Sequence, residues 1–425
     1  MPLAAQHRLV ELRGGAQLVT IPMSDRASAS LVLMFGVGSR YEEDRVGGVS
    51  HFVEHLFFKG TRRRPTSKAI AEAIEGVGGV MNASTDKEVT VYWTRVPAEK
   101  LDLAVDVLFD IVSDSQLSPD DVDRERLVIL EELKMYQDQP QDYVHSLFEQ
   151  VMWPGHPLGR DIGGTLQSVS EISREDLTGY VRSHYRLPNL VVGVSGGIDP
   201  EQTATFIERN LLLPEQPNGE TTPGAPAPLD EATVFLHRKD TEQAHICLGT
   251  RGISYFDDDR YTLDLITTVL GEGMSSRLFL EIRERRGLAY DVHSFTSKHR
   301  DAGYFATYMG VDPKKTQEAI AAAVKELRRL AEEEIPESEL TKVKEFTKGR
   351  LRLGLESTNA MASWLSQQQL LTGTIRTLQE VVAAIDRVTV DDVRRVAQRV
   401  LAQPIQMAVI GPFRDDGAFR SALEG

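Results

Sequence analysis

The residues best suited to chemistry are five in a row, His51-Phe52-Val53-Glu54-His55. Two histidines four apart on a helix lie on one face, about one turn apart. Both imidazoles can then reach a single Zn²⁺ at roughly 2.0–2.1 Å. Glu54, beside the second histidine, can sit next to the metal's open position and take a proton from water there. The order H-x-x-E-H reverses the more familiar H-E-x-x-H. Histidines and a glutamate at this spacing also occur on solvated helix faces, so the rest of the chain must complete the site.

A catalytic zinc wants a third protein ligand and an open position. The candidates lie on a helix expected to begin at Ser118-Pro119-Asp120, with Ser118 at the N-cap and Pro119 in the first turn. Glu125, Glu131 and Glu132 follow along it. Glu125 and Glu132 are seven apart, two turns, and share a face to within about 20°, whereas Glu131 points about 100° away from Glu132. A ligand with a supporting carboxylate on one helix selects Glu132 with Glu125, and Glu131 stands as the alternative ligand.

These groups need a frame, and 425 residues are enough for two or three domains. Pro214, Pro217, Pro223, Pro226 and Pro228, with Gly219 and Gly224, mark a linker over 214–229. It separates an expected metal-binding domain, 1–213, from a second domain, 230–425. The two halves repeat one plan at an offset of about 215 residues. Val96-Pro97-Ala98-Glu99-Lys100 parallels Val311-Asp312-Pro313-Lys314-Lys315, and Leu117-Ser118-Pro119 parallels Ile335-Pro336-Glu337. Thr165-Leu166-Gln167 parallels Thr377-Leu378-Gln379, and Val191–Gly196 parallels Gln406–Gly411.

Ser28–Phe35 reads as an early strand, and Leu101–Ser113 as a helix with Leu101, Ala104, Val105, Leu108, Ile111 and Val112 at helical spacing. Met81–Thr85 is expected to open a strand continuing to Trp93, rich in β-formers. The fold class is α+β: two duplicated α/β-sandwich domains, each a largely antiparallel sheet with helices packed on one face. The place in the second half matching the metal motif reads Ile266–Gly271, without a ligand. One metal per chain is expected.

Composition narrows the partners. A net charge of −15 argues against nonspecific nucleic-acid binding, which needs a basic face. It is compatible with attracting basic peptides. No apolar run approaches the ~20 residues of a membrane helix. Met1–Gly15 has the pattern of neither a secretory signal nor an organelle transit peptide. Cys247, the single cysteine, lies in an apolar strand-like run and reads as a core residue in a reducing compartment. A cytoplasmic, bacterial protein is expected.

With Glu125-Arg126-Leu127-Val128-Ile129-Leu130-Glu131-Glu132 in place, 77 residues separating His55 from Glu132, the chain resembles the pitrilysin family of zinc peptidases, the inverzincins. It is similar to the family's smaller members, the processing-peptidase type. Gly47-Gly48-Val49-Ser50 before the motif and Phe57-Phe58-Lys59-Gly60-Thr61 after it look like the family's flanks. The resemblance implies Zn²⁺ held by His51, His55 and Glu132, Glu125 as supporting carboxylate and Glu54 as general base. It implies that Asn82 and Ala83 lie on an edge strand pairing with the substrate backbone. Read alone, Gly271–Leu278 is a Gly-rich loop before a basic helix that Gly287 ends, a weak phosphate signal. By resemblance it leads into an R-x-x-x-x-x-x-Y element, Arg283 and Tyr290, that holds the scissile peptide; Arg285 and Arg286 read as surface charge. The implied activity is hydrolysis of peptides or unfolded segments in an enclosed chamber. The implied assembly is a homodimer whose sites are completed in trans. A subunit requiring a non-identical partner and a non-enzymatic scaffold are the alternatives.

Overall fold

A computed structural model describes residues 7–215 and 223–424. The first residues of Met1–Gly15, and Pro217 and Gly219 of the linker, lie outside the described residues. Residues 223–229 of the linker carry no regular secondary structure.

The first half contributes strands β1 (Arg8–Glu11), β2 (Gln17–Pro22), β3 (Ser28–Phe35), β4 (Val80–Thr85), β5 (Thr90–Pro97) and β6 (Leu190–Gly196). Its helices are α1 (Val49–Phe57), α2 (Ser67–Glu75), α3 (Leu101–Asp114), α4 (Pro119–Asp138), α5 (Pro140–Met152), α6 (Leu166–Glu171), α7 (Arg174–His184) and α8 (Pro200–Asn210). The second half adds β7 (Thr233–Arg238), β8 (Ala244–Arg251), β9 (Ala289–Lys298), β10 (Gly303–Val311) and β11 (Gln406–Gly411). With them come α9 (Arg260–Gly271), α10 (Thr316–Glu332), α11 (Glu337–Gly354), α12 (Thr358–Thr372), α13 (Leu378–Arg387), α14 (Val390–Leu401) and α15 (Gly417–Glu424).

Duplication is explicit in the strand orders, β1-β2-β6-β3-β5-β4 and β7-β11-β8-β10-β9. Apart from the added β1, the sheets match strand for strand. In each, one pair is parallel, β2 with β6 and β7 with β11, and the other pairs are antiparallel. Val49, Phe52, Val53, Leu56 and Phe57 of α1 join Leu31, Leu33 and Phe35 of β3 and the apolar stripe of α3 in one core.

The compact units differ from the contiguous halves 1–213 and 230–425. One comprises residues up to Lys134, Arg160–Pro223 and Arg352–Gln379; the other comprises Met135–Gly159, Gly224–Leu351 and Glu380 onward. Each therefore contains a helix from the opposite half of the chain. In the first unit α12 covers β3, β6 and β2. Ser30 Oγ and Thr358 Oγ1 are 2.8 Å apart there, and Ser195 Oγ donates to the Thr358 carbonyl. Gly193 is required for this approach, since a Cβ would stand 2.2 Å from Ser366 Oγ. In the second unit α5 lies on β11, β8 and β7. Its Val144, Leu147, Phe148 and Met152 bury against Cys247, Tyr304, Tyr308, Ala408 and Ile410. The physical cause is visible in β3, buried along nearly its whole length: a strand apolar on both sides needs cover on both sides.

The expected strand from Met81 to Trp93 is a hairpin. β4 and β5 pair in register from Val80↔Arg95 to Thr85↔Thr90, and the Asp86 N–H donates to the Val89 carbonyl at 2.8 Å to close the turn. Asp86 turns the chain by accepting the Lys87 N–H at 2.7 Å. Glu88 is buried in an ion pair with Arg40 at 2.7 Å. The expected basic helix before Gly287 is a π-helix, Phe279–Arg285, and Gly287 has the left-handed φ of +57° that favours glycine. Among the described residues no helix is long and apolar enough to cross a membrane.

Candidate metal centre

The centre is built on two helices of the first unit. Helix α1 buries Phe52, Val53, Leu56 and Phe57 and turns His51, Glu54 and His55 to the opposite, half-buried face. Its start is held by Glu42, which accepts the N–H groups of Gly48 at 2.8 Å and Ser50 at 2.9 Å and the Ser50 hydroxyl. Three donors at a helix N-terminus suit a carboxylate. Burial nonetheless pushes the Glu42 carboxyl up to about 7. Gly48 has φ +94°, and a Cβ there would stand 2.4 Å from the Gly163 carbonyl oxygen. Beyond the helix, Thr61, Arg63 and Arg64 bond to the buried Asp110 of α3 at 2.8, 3.0 and 2.6 Å, fixing the other end.

Helix α4 begins as expected at Pro119, with Ser118 Oγ accepting the Asp121 N–H at 3.2 Å. Arg126 ties it to α1, its guanidinium 5.4 Å from the Phe52 ring centre. This brings Glu132 to the histidines: Oε1 is 3.8 Å from His51 Nε2 and Oε2 is 3.5 Å from His55 Nε2. Potential ligand atoms of His51, His55 and Glu132 all lie within 4.8 Å of one another. Ligands about 2.1 Å from a tetrahedral ion stand roughly 3.4 Å apart, so a small inward movement would enclose Zn²⁺. Among the described residues this is the single group of three or more that could hold a metal.

The surroundings fit such an ion. His55 Nδ1 lies 3.3 Å from Glu125 Oε2, where it can donate to the carboxylate, and Nε2 faces Glu132. Lys59 holds the other Glu125 oxygen at 2.7 Å. Burial and the neighbouring His55 push His51 down to about 4, so the ring is in the neutral, ligating form at pH 7. His51 Nδ1 is buried with no hydrogen-bond partner among the described residues. Glu131 points away, three-quarters exposed and paired with Lys134 at 2.6 Å, which removes it as the alternative ligand.

Glu54 stands apart from the three-ligand group. Thr85 Oγ1 donates to its Oε2 at 2.5 Å, and burial raises its carboxyl above the usual range. Asn82 and Ala83 lie on β4, one of the two edge strands of the first sheet. There the Ala83 N–H donates to the Asn82 side-chain oxygen at 2.8 Å. Arg283 and Tyr290 belong to the second unit, where the guanidinium lies 5.2 Å from the Tyr290 ring centre and 4.8 Å from that of Phe279. Tyr290 is exposed, and Arg283 has no carboxylate partner among the described residues. Arg285 and Arg286 bond Glu281 at 3.0 and 2.8 Å, as surface charge does. In the second unit Ile266–Gly271 is buried in α9 and offers no ligand. The sequence reading missed Glu42 and Thr85, whose contacts depend on loop and hairpin geometry. It quoted Lys59 only as part of a flank.

Two family models match: "Insulinase (Peptidase family M16)" over residues 18–166 and "Peptidase M16 inactive domain" over residues 171–346. An uncharacterized zinc protease of Streptomyces coelicolor is 38% identical over 97% of this chain and 91% of its own. The chain belongs to the M16 peptidase family. Another uncharacterized zinc protease, YmxG of Bacillus subtilis, is 34% identical over 91% of this chain and 93% of its own. The crystal structure of a protease from Helicobacter pylori superposes with a TM-score of 0.89 at 23% identity, covering 96% of this chain and all of that one, which bears on the fold. The family's insulinase model falls on the half that carries the metal group, and its inactive-domain model on a span that includes the ligand-free counterpart.

Proposed function

We propose that this M16 chain is a zinc-dependent endopeptidase, holding one Zn²⁺ through His51, His55 and Glu132. The observation that carries the reading is the convergence of these three ligands beside Glu54, a carboxylate outside the ligand group and held by its own hydrogen bond. Bound Zn²⁺ supplies a Lewis acid that acidifies water and polarises a carbonyl. Glu54 takes the proton from the attacking water as it adds to the scissile carbonyl, then delivers it to the leaving amine. Glu125 and Lys59 keep His55 oriented throughout. An extended substrate adds to the free edge of β4 along Asn82 and Ala83, exchanging the Ala83–Asn82 bond for a backbone one. Tyr290 donates to the oxyanion or the substrate backbone, and Arg283 binds a substrate carbonyl.

Backbone pairing requires an extended chain, so the substrates are peptides or unfolded segments, taken into an enclosed chamber. The chain acts as a homodimer in which Arg283 and Tyr290 of one copy serve the metal group of the other, in the cytoplasm of a bacterium. The test is metal content measured together with cleavage of a mixed peptide library. One zinc per chain and cleavage abolished by a chelator and restored by Zn²⁺ are expected. Metal-free protein that cleaves equally well would overturn the proposal.

A further inference from the structure

The edge of the first sheet and the proposed base meet at one residue. In the β4–β5 register, Met81, Ala83 and Thr85 turn their backbone N–H groups away from the sheet, as the Ala83 bond to Asn82 indicates. Thr85 is the last residue of that row. Its hydroxyl donates to Glu54 Oε2 at 2.5 Å. Among the described residues no other side chain donates to Glu54. A glutamate on a nine-residue helix, next to Glu132 and two histidines, has other rotamers open to it, including ones that turn it onto the metal position.

We propose that Thr85 is the positioning residue for the base. It clamps Glu54 with its hydroxyl, keeps the carboxylate out of the ligand set, and stands at the end of the row of edge amides. An extended peptide can pair with β4 along this row, and Thr85, at its end, bonds Glu54 through its hydroxyl. The clamp thereby sets the register between the bound strand and the proton acceptor. This proposal rests on the peptidase reading above.

The test uses the zinc-loaded full-length protein with Thr85→Val, which removes the hydroxyl at nearly constant shape, and Thr85→Ser, which restores it. Thr85→Val should lower kcat roughly 10- to 100-fold, the size of one hydrogen bond to a charged group. KM should stay within about twofold and zinc content should stay at wild type, a pattern general loosening of the strand would not give. Thr85→Ser should recover most of kcat. Crystal structures of the three zinc-loaded proteins should show Glu54 bonded to residue 85 in wild type and Thr85→Ser and displaced in Thr85→Val. Thr85→Val with wild-type kcat and Glu54 in place would overturn the clamp, as would Thr85→Ser failing as fully as Thr85→Val with a raised KM. A wild-type protein that cleaves nothing would instead remove the peptidase reading, and the position of Glu54 in the three structures would still decide the clamp.

Discussion

Replacing Glu125 with alanine tests whether the His55 ring is oriented from outside the ligand set. Glu125 is 7% exposed and makes two contacts that matter: it lies 3.3 Å from His55 Nδ1 and pairs with Lys59 at 2.7 Å. Removing it lets the ring turn about its bond to the helix and exchange tautomers. Loss of such an outer partner of a ligating histidine typically costs 10–100-fold in metal affinity, about 1.4–2.8 kcal/mol. The Lys59 ammonium, left without its partner, repels a cation and acts in the same direction. The upper part of that range is therefore expected. The assay is zinc competition with a chromophoric chelator at pH 7.5, with metal-free Tm recorded to show that the variant is folded. Glu131→Gln is the control, because among the described residues Glu131 bonds only Lys134, at the surface, and the variant's affinity should equal wild type. A folded Glu125→Ala protein that binds zinc within about twofold of that control would show that packing alone orients His55 and that the Glu125 contact is incidental.

Glu132→Gln should lose most bound zinc on dialysis while Glu131→Gln retains it; the opposite pattern by elemental analysis would place the wrong glutamate at the metal. Glu54→Gln and Tyr290→Phe chains should each be weak, and their mixture should regain activity toward a ceiling of about half of wild type for the heterodimer, one of its two composite sites being intact. No recovery despite demonstrated subunit exchange would remove the dimer from the mechanism. His184 is buried against Tyr180, and burial, then Arg186, pushes it down to about 4. Its folded value lies below the unfolded one, so its neutral form supports the fold above about pH 6.5 and that support is lost as pH falls toward 4, roughly 3 kcal/mol in full. Urea midpoints at pH 7 and pH 4.5 should fall less in His184→Gln than in wild type; parallel falls would rule His184 out as a contributor.

The metal group was legible because its spacings are local. His51, Glu54 and His55 fall within two turns of one helix, and the two-turn spacing of Glu125 and Glu132 singled out the side chain that reaches them. The duplicated sheets were legible for a related reason, since matching punctuation recurs at a fixed offset. Other features depend on partners far along the chain. The spacing of Val144, Leu147, Phe148 and Met152 shows that α5 buries a face, but periodicity carries no information about which sheet receives it. The same holds for α12, although the unbroken apolar run Leu31-Val32-Leu33-Met34-Phe35 of β3 is the trace its docking leaves in the sequence. β-formers on both sides of Asp86 hid the hairpin, and with it the position of Thr85 opposite Glu54. Glu42 was missed because it caps α1 across a loop rather than from the adjoining residue.

The most direct test of the account is the Glu54→Gln protein, assayed for zinc and for hydrolysis of a flexible peptide in the same preparation. The substitution removes the proton acceptor and no ligand. It should fold, retain one zinc per chain and lose roughly 10²–10⁴-fold in kcat, the usual contribution of a general base. Full hydrolysis by that zinc-loaded protein would contradict the mechanism, and loss of the zinc would show that Glu54 belongs to the metal rather than to the water.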